Sequence, residues 1–214
     1  LYDNLKHGEP IYDWGEVSGT RRVVLEDFEG GFYGSNEFRE QHSKFFEGKL
    51  WKGEEVYYEV VGFTHSGSPI MSMADNKKLN DKEFVKQYGK TTTFSYGCDP
   101  YGLCASAQID PNYNTPVSDI YVYRMTMTNE DGDVVEYTPD FMRYRCEQMG
   151  VKTVPVMWKG IIPTVENRVF DMNTMEEHIE TPGEYIKEIA EQYYAGPDPI
   201  GKTHVREGVV VRIL

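Results

Sequence analysis

Hydrophobic and polar positions alternate most cleanly near the end of the chain, in Arg206-Glu207-Gly208-Val209-Val210-Val211-Arg212. A period of two places Glu207, Val209 and Val211 on one face of a strand and Gly208, Val210 and Arg212 on the other. The alternation predicts a buried β-ribbon with one carboxylate, Glu207, held at its head. The glycine beside it leaves room for a ligand or a second backbone to approach.

Upstream, Leu1 to Val17 is polar, aromatic and rich in turn formers without a sustained period, and reads as a lead-in. Ser18 to Leu25 passes from small residues into a β-branched run, which predicts a strand entered through a tight turn, with Arg21 and Arg22 on opposite faces. Ser35-Asn36, followed by Glu37 and Glu40, predicts an N-cap and a short helix on which Phe38, Phe45 and Phe46 share a face. Glu55 to Phe63 is dense in β formers and predicts a central strand. A helix over Asp81 to Tyr88, closed by Gly89, precedes a long tract after Tyr96 rich in Gly, Pro, Asn and Asp, a kind of loop that is usually functional or mobile.

Ile120 to Thr128 and Val134 to Tyr137 flank Asn129-Glu130-Asp131-Gly132-Asp133, whose Asp-Gly pair predicts a β-hairpin. Thr138-Pro139 opens a helix that runs to Gln148-Met149 and stops at Gly150. Val151 to Trp158 returns as a strand, and Thr181-Pro182 opens a second helix through Tyr194. No repeat or low-complexity tract interrupts this mixture of antiparallel ribbons and separate helices, which reads as α+β.

Composition narrows the class. At 214 residues one substantial core suffices, so a single domain spanning 1–214 is the expectation. Sixteen Tyr and ten Phe argue against disorder. No apolar run approaches a membrane span, and Leu1 to Lys6 has neither the basic nor the apolar region of a secretory signal, so the chain reads as cytoplasmic with no membrane partner. Cys98, Cys104 and Cys146 are odd in number and lack paired Cys-x-x-Cys spacing, which points to reduced thiols rather than disulfides or zinc. A net charge of −13 weighs against non-specific affinity for phosphates and leaves local clusters such as Arg21-Arg22 and Lys77-Lys78 to supply it. The chain begins at Leu1 rather than Met and stops at Leu214, at the end of a predicted strand, and so reads as a piece of a longer protein, incomplete at both ends.

Gly196-Pro197-Asp198-Pro199-Ile200-Gly201-Lys202-Thr203 satisfies the P-loop pattern in full. The chemistry of a P-loop, however, needs a strand before the loop and a helix N-terminus after it, with backbone N–H groups aimed at the phosphates. Here the predicted helix comes first and the strand second, and Pro197 and Pro199 remove two of the donors. The segment is therefore read as a connector.

Four short motifs carry more weight because of their order: Gly19-Thr20-Arg21, Tyr57-Tyr58-Glu59-Val60-Val61-Gly62, Ile120-Tyr121-Val122-Tyr123-Arg124, and Glu207-Gly208-Val209-Val210 with Arg212. In this order they resemble motifs of the covalent nucleotidyltransferases, the superfamily of ATP-dependent RNA and DNA ligases and mRNA capping enzymes. The stretch 141–205 is most similar to phage-type RNA ligases. The resemblance implies an α+β, ATP-grasp-like adenylation domain: two mainly antiparallel sheets with flanking helices around a nucleotide cleft. It implies that Arg21 contacts phosphate, a strand-edge charge being the alternative. Glu59 would sit near the nucleotide sugar, a role that would compensate the cost of burying a carboxylate between aromatic and β-branched neighbours. Tyr123 would stack on adenine, with Tyr121 on the same face as the alternative, and Glu207 would hold the catalytic Mg²⁺.

The implied activity is RNA ligation. A lysine attacks the α-phosphate of ATP to give lysyl-AMP, the AMP passes to an RNA 5′-phosphate, and a 3′-hydroxyl displaces it. Glu207 and Glu59 are the catalytic candidates, Arg21, Glu59 and Tyr123 the nucleotide-binding ones, and RNA ends and ATP the partners. The nucleophile motif, Lys-x-Asp-Gly or Lys-x-His-Gly, has no good copy here. Leu5-Lys6-His7-Gly8 puts leucine where the lysine belongs, and Lys86-Gln87-Tyr88-Gly89 follows motifs it should precede. The nucleophile is therefore expected outside these residues. A DNA ligase, a capping-type transferase, or an inactive nucleotide- or RNA-binding module are the alternatives.

Overall fold

Short ribbons open the chain. In the computed structural model, which describes residues 3–6, 9–12, 15–25, 43–62, 70, 82, 86, 118–163, 167–200 and 205–213, β1 (Asp3–Lys6) and β2 (Glu9–Tyr12) pair antiparallel. The expected lead-in is thus a hairpin, whose four-residue strands are too short to display a hydrophobic period. β3 (Ser18–Gly19) pairs with β4 (Val24–Leu25) around a turn that the Thr20 hydroxyl organises by accepting from the backbone N–H groups of Arg22 and Val23. Arg21 and Arg22 lie in that bend, both exposed, rather than on two faces of a strand.

The chain divides into two compact units, one of Leu1–Val60 with Asp119–Val154, the other of Val61–Ser118 with Pro155–Leu214. The first is built on a four-stranded sheet of β5 (Glu54–Gly62), β6 (Ser118–Thr128), β7 (Val134–Glu136) and β8 (Lys152–Thr153). β6, not β5, is central: it carries β5 on one side and both β7 and β8 on the other. The predicted hairpin joins β6 to β7 with Thr128 opposite Val134, closed by a backbone hydrogen bond from Asn129 N to Asp133 O of 3.0 Å. β8 runs parallel to β6, with Tyr121 opposite Lys152, and is much shorter than the predicted return from Val151 to Trp158.

Between β7 and β8 lies α1 (Pro139–Met149). Its boundaries follow the expected chemistry: the Thr138 side chain accepts from Phe141 N, Pro139 occupies the first turn, and Gly150 ends the helix in the left-handed conformation at φ 73°. Met142, Cys146 and Met149 recur at helical spacing and bury one stripe of α1 against Ile120, Val122 and Met125 of β6, with Phe46 and Val151 completing the core. Val56, Tyr58 and Val60 of β5 pack onto the same core from the sheet edge, Tyr58 with its ring centroid 5.3 Å from that of Phe46. Residues 43–46, helical as the shared face of Phe45 and Phe46 suggests, supply that ring; the remainder of the predicted helix from Ser35 lies outside the described residues.

In the second unit β9 (Asn167–Asp171) and β10 (Glu176–Glu180) form an antiparallel hairpin that no turn signal announced. Its turn is instead built by Asp171, whose carboxylate accepts from Asn173 N at 2.7 Å, and by Met175 at φ 57°. α2 (Pro182–Tyr194) follows as predicted, opened by a reciprocal capping box between Thr181 and Glu184. Of the predicted helix at 81–88, the described residues Lys82 and Lys86 are helical; the long tract after Tyr96 lies outside the described residues up to Ser118.

One further expectation is corrected. Residues 206–213 form no strand: Val210 and Ile213 are 87% and 69% exposed, so the valine run packs no core among the described residues. Alternation favours a strand, but a strand also needs a partner to take its backbone hydrogen bonds. The α+β class with mainly antiparallel sheets holds; the described residues form one four-stranded sheet and three two-stranded ribbons.

Candidate functional site

β5 divides cleanly. Val56, Tyr58 and Val60 face the core, which sends Glu55, Tyr57 and Glu59 to the other face of the sheet. Glu59 is exposed there, so the burial expected of it does not occur: its aromatic and β-branched neighbours in sequence point the opposite way.

On β6 the alternation shifts phase. Ile120 and Val122 reach the core, and the next residue to do so is Met125, leaving two residues, Tyr123 and Arg124, where a regular strand has one. Two successive side chains, Tyr123 and Arg124, thus lie off the core. Both converge on Tyr57: the Tyr123 ring lies 6.3 Å from it between centroids, and the Arg124 guanidinium lies 4.9 Å above its centroid. Glu136 of β7 holds Arg124 in place through a 2.9 Å ion pair. Partial burial, with the neighbouring Glu55 carboxylate, raises the Tyr57 phenol above its ordinary value.

Tyr121, the alternative stacking residue, has a different neighbour. The Lys152 ammonium lies 5.6 Å from its ring centroid and donates to Asp119, an anchor that raises the lysine above its ordinary value. The sheet thus brings Tyr123 and Arg124 of β6 together with Tyr57 of β5, the strand that also bears Glu59. Arg21 sits in the β3–β4 turn.

Glu207 belongs to the second unit, exposed on the irregular segment 206–213. The root of that segment is built with care. Arg206 donates from Nη1 to the carbonyl of Tyr193 at the end of α2 and from Nη2 to the carbonyl of Pro197 at 3.3 Å, while its backbone N–H donates to Gly196 O at 2.9 Å. Val205 pairs with Pro197 in an isolated antiparallel bridge. The described part of the P-loop-like segment, Gly196 to Ile200, is therefore held beside the end of α2, preceded by a helix as its sequence implied; residues 201–204 lie outside the described residues. Beyond Arg206, Gly208 and Val209 line a shallow cleft of about 560 Å³ with Lys187, Ala190, Glu191 and Tyr194 of α2.

Mg²⁺ takes one or two protein oxygens and completes its shell with water and phosphate oxygens, so Glu207 alone could supply at most one of its protein ligands. Among the described residues no group of three or more His, Cys, Asp and Glu stands ready to hold a metal by itself. Of the cysteines, Cys98 and Cys104 lie outside the described residues, and burial pushes the Cys146 thiol up to about 11, which suits packing rather than chemistry. No described helix is long and apolar enough to cross a membrane. No protein-family model, no curated protein and no solved structure matches the chain.

Sequence reasoning missed Tyr57, Arg124, Glu136 and Arg206. A signal for Tyr57 was present, in its period-two spacing with Glu55 and Glu59. None exists for Arg124, whose partners Glu136 and Tyr57 lie on two other strands, or for Arg206, whose partners are carbonyl groups.

Proposed function

We propose that the chain is part of the adenylation domain of an ATP-dependent RNA ligase, acting through lysyl-AMP and adenylylated RNA, with a nucleophilic lysine outside these residues. The observation that supports it is the pairing of β5 with β6, which brings the Glu59 motif and the Tyr123 motif, 64 positions apart (123 less 59), onto neighbouring strands of one sheet. In this reading Tyr123 stacks on the adenine base, Glu59 accepts a hydrogen bond from the ribose, and Arg21 donates to phosphate. Glu207 would be the protein ligand of Mg²⁺, which supplies charge neutralisation on the phosphates.

The decisive experiment is incubation of the full-length protein with ATP labelled at the α-phosphate and Mg²⁺. Covalent labelling that is discharged by 5′-phosphorylated RNA is expected. Binding of ATP without covalent label would leave the aromatic sheet face as that of a nucleotide-binding module. Transfer to DNA ends in preference to RNA, or labelling by GTP rather than ATP, would redirect the assignment to a DNA ligase or a capping-type transferase.

A further inference from the structure

We propose that the aromatic face formed by Trp51 and the outer side of α1 is a docking site for a basic polypeptide segment, one that lays arginine or lysine side chains on the rings. The inference does not depend on the ligase reading. Trp51, Phe141 and Tyr144 are 48%, 38% and 53% exposed, yet they form one cluster. The Phe141 ring centroid lies 6.3 Å from that of Trp51, 6.2 Å from that of Tyr144, stacked at 26°, and 4.7 Å from that of Tyr137. Apolar area grouped in water in this way is unfavourable until it is covered, and exposed aromatic clusters supply the anchoring contacts of protein interfaces.

The rings are held from behind. Trp51 donates its backbone N–H to Glu54, and the buried guanidinium of Arg145 lies against its indole. Bidentate pairing with Glu54 neutralises that guanidinium, so it anchors the ring without repelling a second cation. The Tyr144 hydroxyl accepts from Gln148 Nε2 at 2.9 Å. Side chains fixed in advance lose little entropy when a partner binds. Charge then selects the partner. Asp140 and Glu147 are exposed one turn to either side of Tyr144, and Lys52, next to Trp51, ties to Glu130 in the β6–β7 turn, where Asp131 and Asp133 are exposed as well. These carboxylates outnumber the nearby cations, each of which is already engaged: Lys52 by Glu130, Arg143 by Asp140 and Lys49 by the carbonyl of Met149. Such a surface repels phosphate and a second copy of itself, and attracts cations, which the faces of Trp and Tyr also favour.

The test titrates the full-length protein, by fluorescence anisotropy at physiological salt, with two labelled peptides of equal length, one of alternating Arg and Gly and the other of alternating Glu and Gly. Binding of the arginine peptide and none of the glutamate peptide is expected. Tyr144→Ala and Trp51→Ala should each weaken the arginine peptide about tenfold or more. If loss of the ring against Arg145 keeps Trp51→Ala from folding, Tyr144→Ala carries the expectation. Tyr194→Ala, which removes a tyrosine 62% exposed in the second unit, should leave affinity within about twofold. Asp140→Asn with Glu147→Gln should weaken binding about threefold or more and flatten its salt dependence. Failure of the arginine peptide to bind overturns the inference, and so does equal binding by Tyr144→Ala and the parent protein, which would mean attraction to net charge alone. A single-stranded RNA oligonucleotide that binds and loses affinity in Tyr144→Ala, or a dimer that the same substitution breaks, gives the face to another occupant and overturns it as well.

Discussion

Glu54 and Arg145, 91 positions apart in sequence, meet in a buried bidentate ion pair with contacts of 2.7 and 2.6 Å. The Glu54 carboxylate is further held by the backbone N–H of Trp51 at 2.9 Å and the hydroxyl of Tyr137 at 3.0 Å. Arg145 spends its remaining donors on Lys49 O and Gln148 and lies 3.9 Å from the centroid of the Trp51 ring. Because this network satisfies so many polar groups, it fixes α1 to the start of β5 in one register.

Removing one partner leaves the other charged and buried, so Arg145→Met or Glu54→Gln is expected to destabilise the protein by about 3–5 kcal/mol. Replacing both with apolar residues should cost less than the sum of the single changes, as measured by denaturant unfolding. The pH dependence has a defined sign. Burial alone would raise the Glu54 carboxyl, but the hydrogen bonds from Arg145, Trp51 and Tyr137 outweigh it and hold it below the ordinary value of 4.5. The unfolded chain therefore takes up the proton first. This contribution is complete above pH 4.5 and disappears as the pH falls through the lowered folded value, so stability in Glu54→Gln should fall less steeply with acid.

Two glycines with similar backbone angles should respond differently to alanine. Gly53 has φ +82° and Gly132 φ +89°, but a Cβ at Gly53 would stand 2.1 Å from the carbonyl oxygen of Thr128, whereas nothing lies within 4 Å of one at Gly132. Gly132→Ala is expected to cost about 1 kcal/mol for its left-handed conformation. Gly53→Ala must also displace the β5–β6 backbone, for a loss on the order of 3 kcal/mol or more, read from the same unfolding curves.

How much of this was legible in the sequence depended on how local the cause is. Both helices were readable because Thr-Pro openings and the Gly150 stop act within one turn, and the β6–β7 hairpin because Asp131-Gly132 fixes its own turn. The ion pair of Glu54 with Arg145 was not, since nothing near either residue specifies a partner in a distant element. Arg206 to Arg212 failed in the opposite way: the alternation was real, but no described strand accepts its hydrogen bonds. At the site, Tyr123 was named and its ring partner Tyr57 was not, because the contact arises only when β5 and β6 pair.

The two candidate stacking tyrosines can be separated by affinity. If adenine stacks on Tyr123, Tyr123→Ala should weaken ATP binding by about 1–3 kcal/mol in the full-length protein, by equilibrium titration. Tyr121→Ala should change it by less than about 0.5 kcal/mol. The reverse order would transfer the role to the ring beside Lys152.

Glu207→Ala should separate chemistry from folding. An exposed carboxylate on an irregular segment contributes little packing, so the variant should keep its stability to within about 0.5 kcal/mol. Lysine adenylylation should fall by several orders of magnitude, because charge-neutralising contacts act mainly in the transition state. Intact labelling in a folded variant would remove Glu207 from the metal site.

The parallel return of β8 beside β6 has a consequence for the order of assembly. Residues 118–153 hold the central strand, the hairpin, the helix and the returning strand without a break in sequence, whereas β5 must close across a gap of more than fifty residues (62 to 118). Short loop closures form sooner than long ones. The amide protons of α1 and the β6–β7 ladder should therefore be protected before those of β5 in pulse-labelled hydrogen exchange during refolding. On a ribosome, β5 would leave the exit tunnel first yet wait for the strand it joins, making the edge of the finished sheet the last piece to be laid.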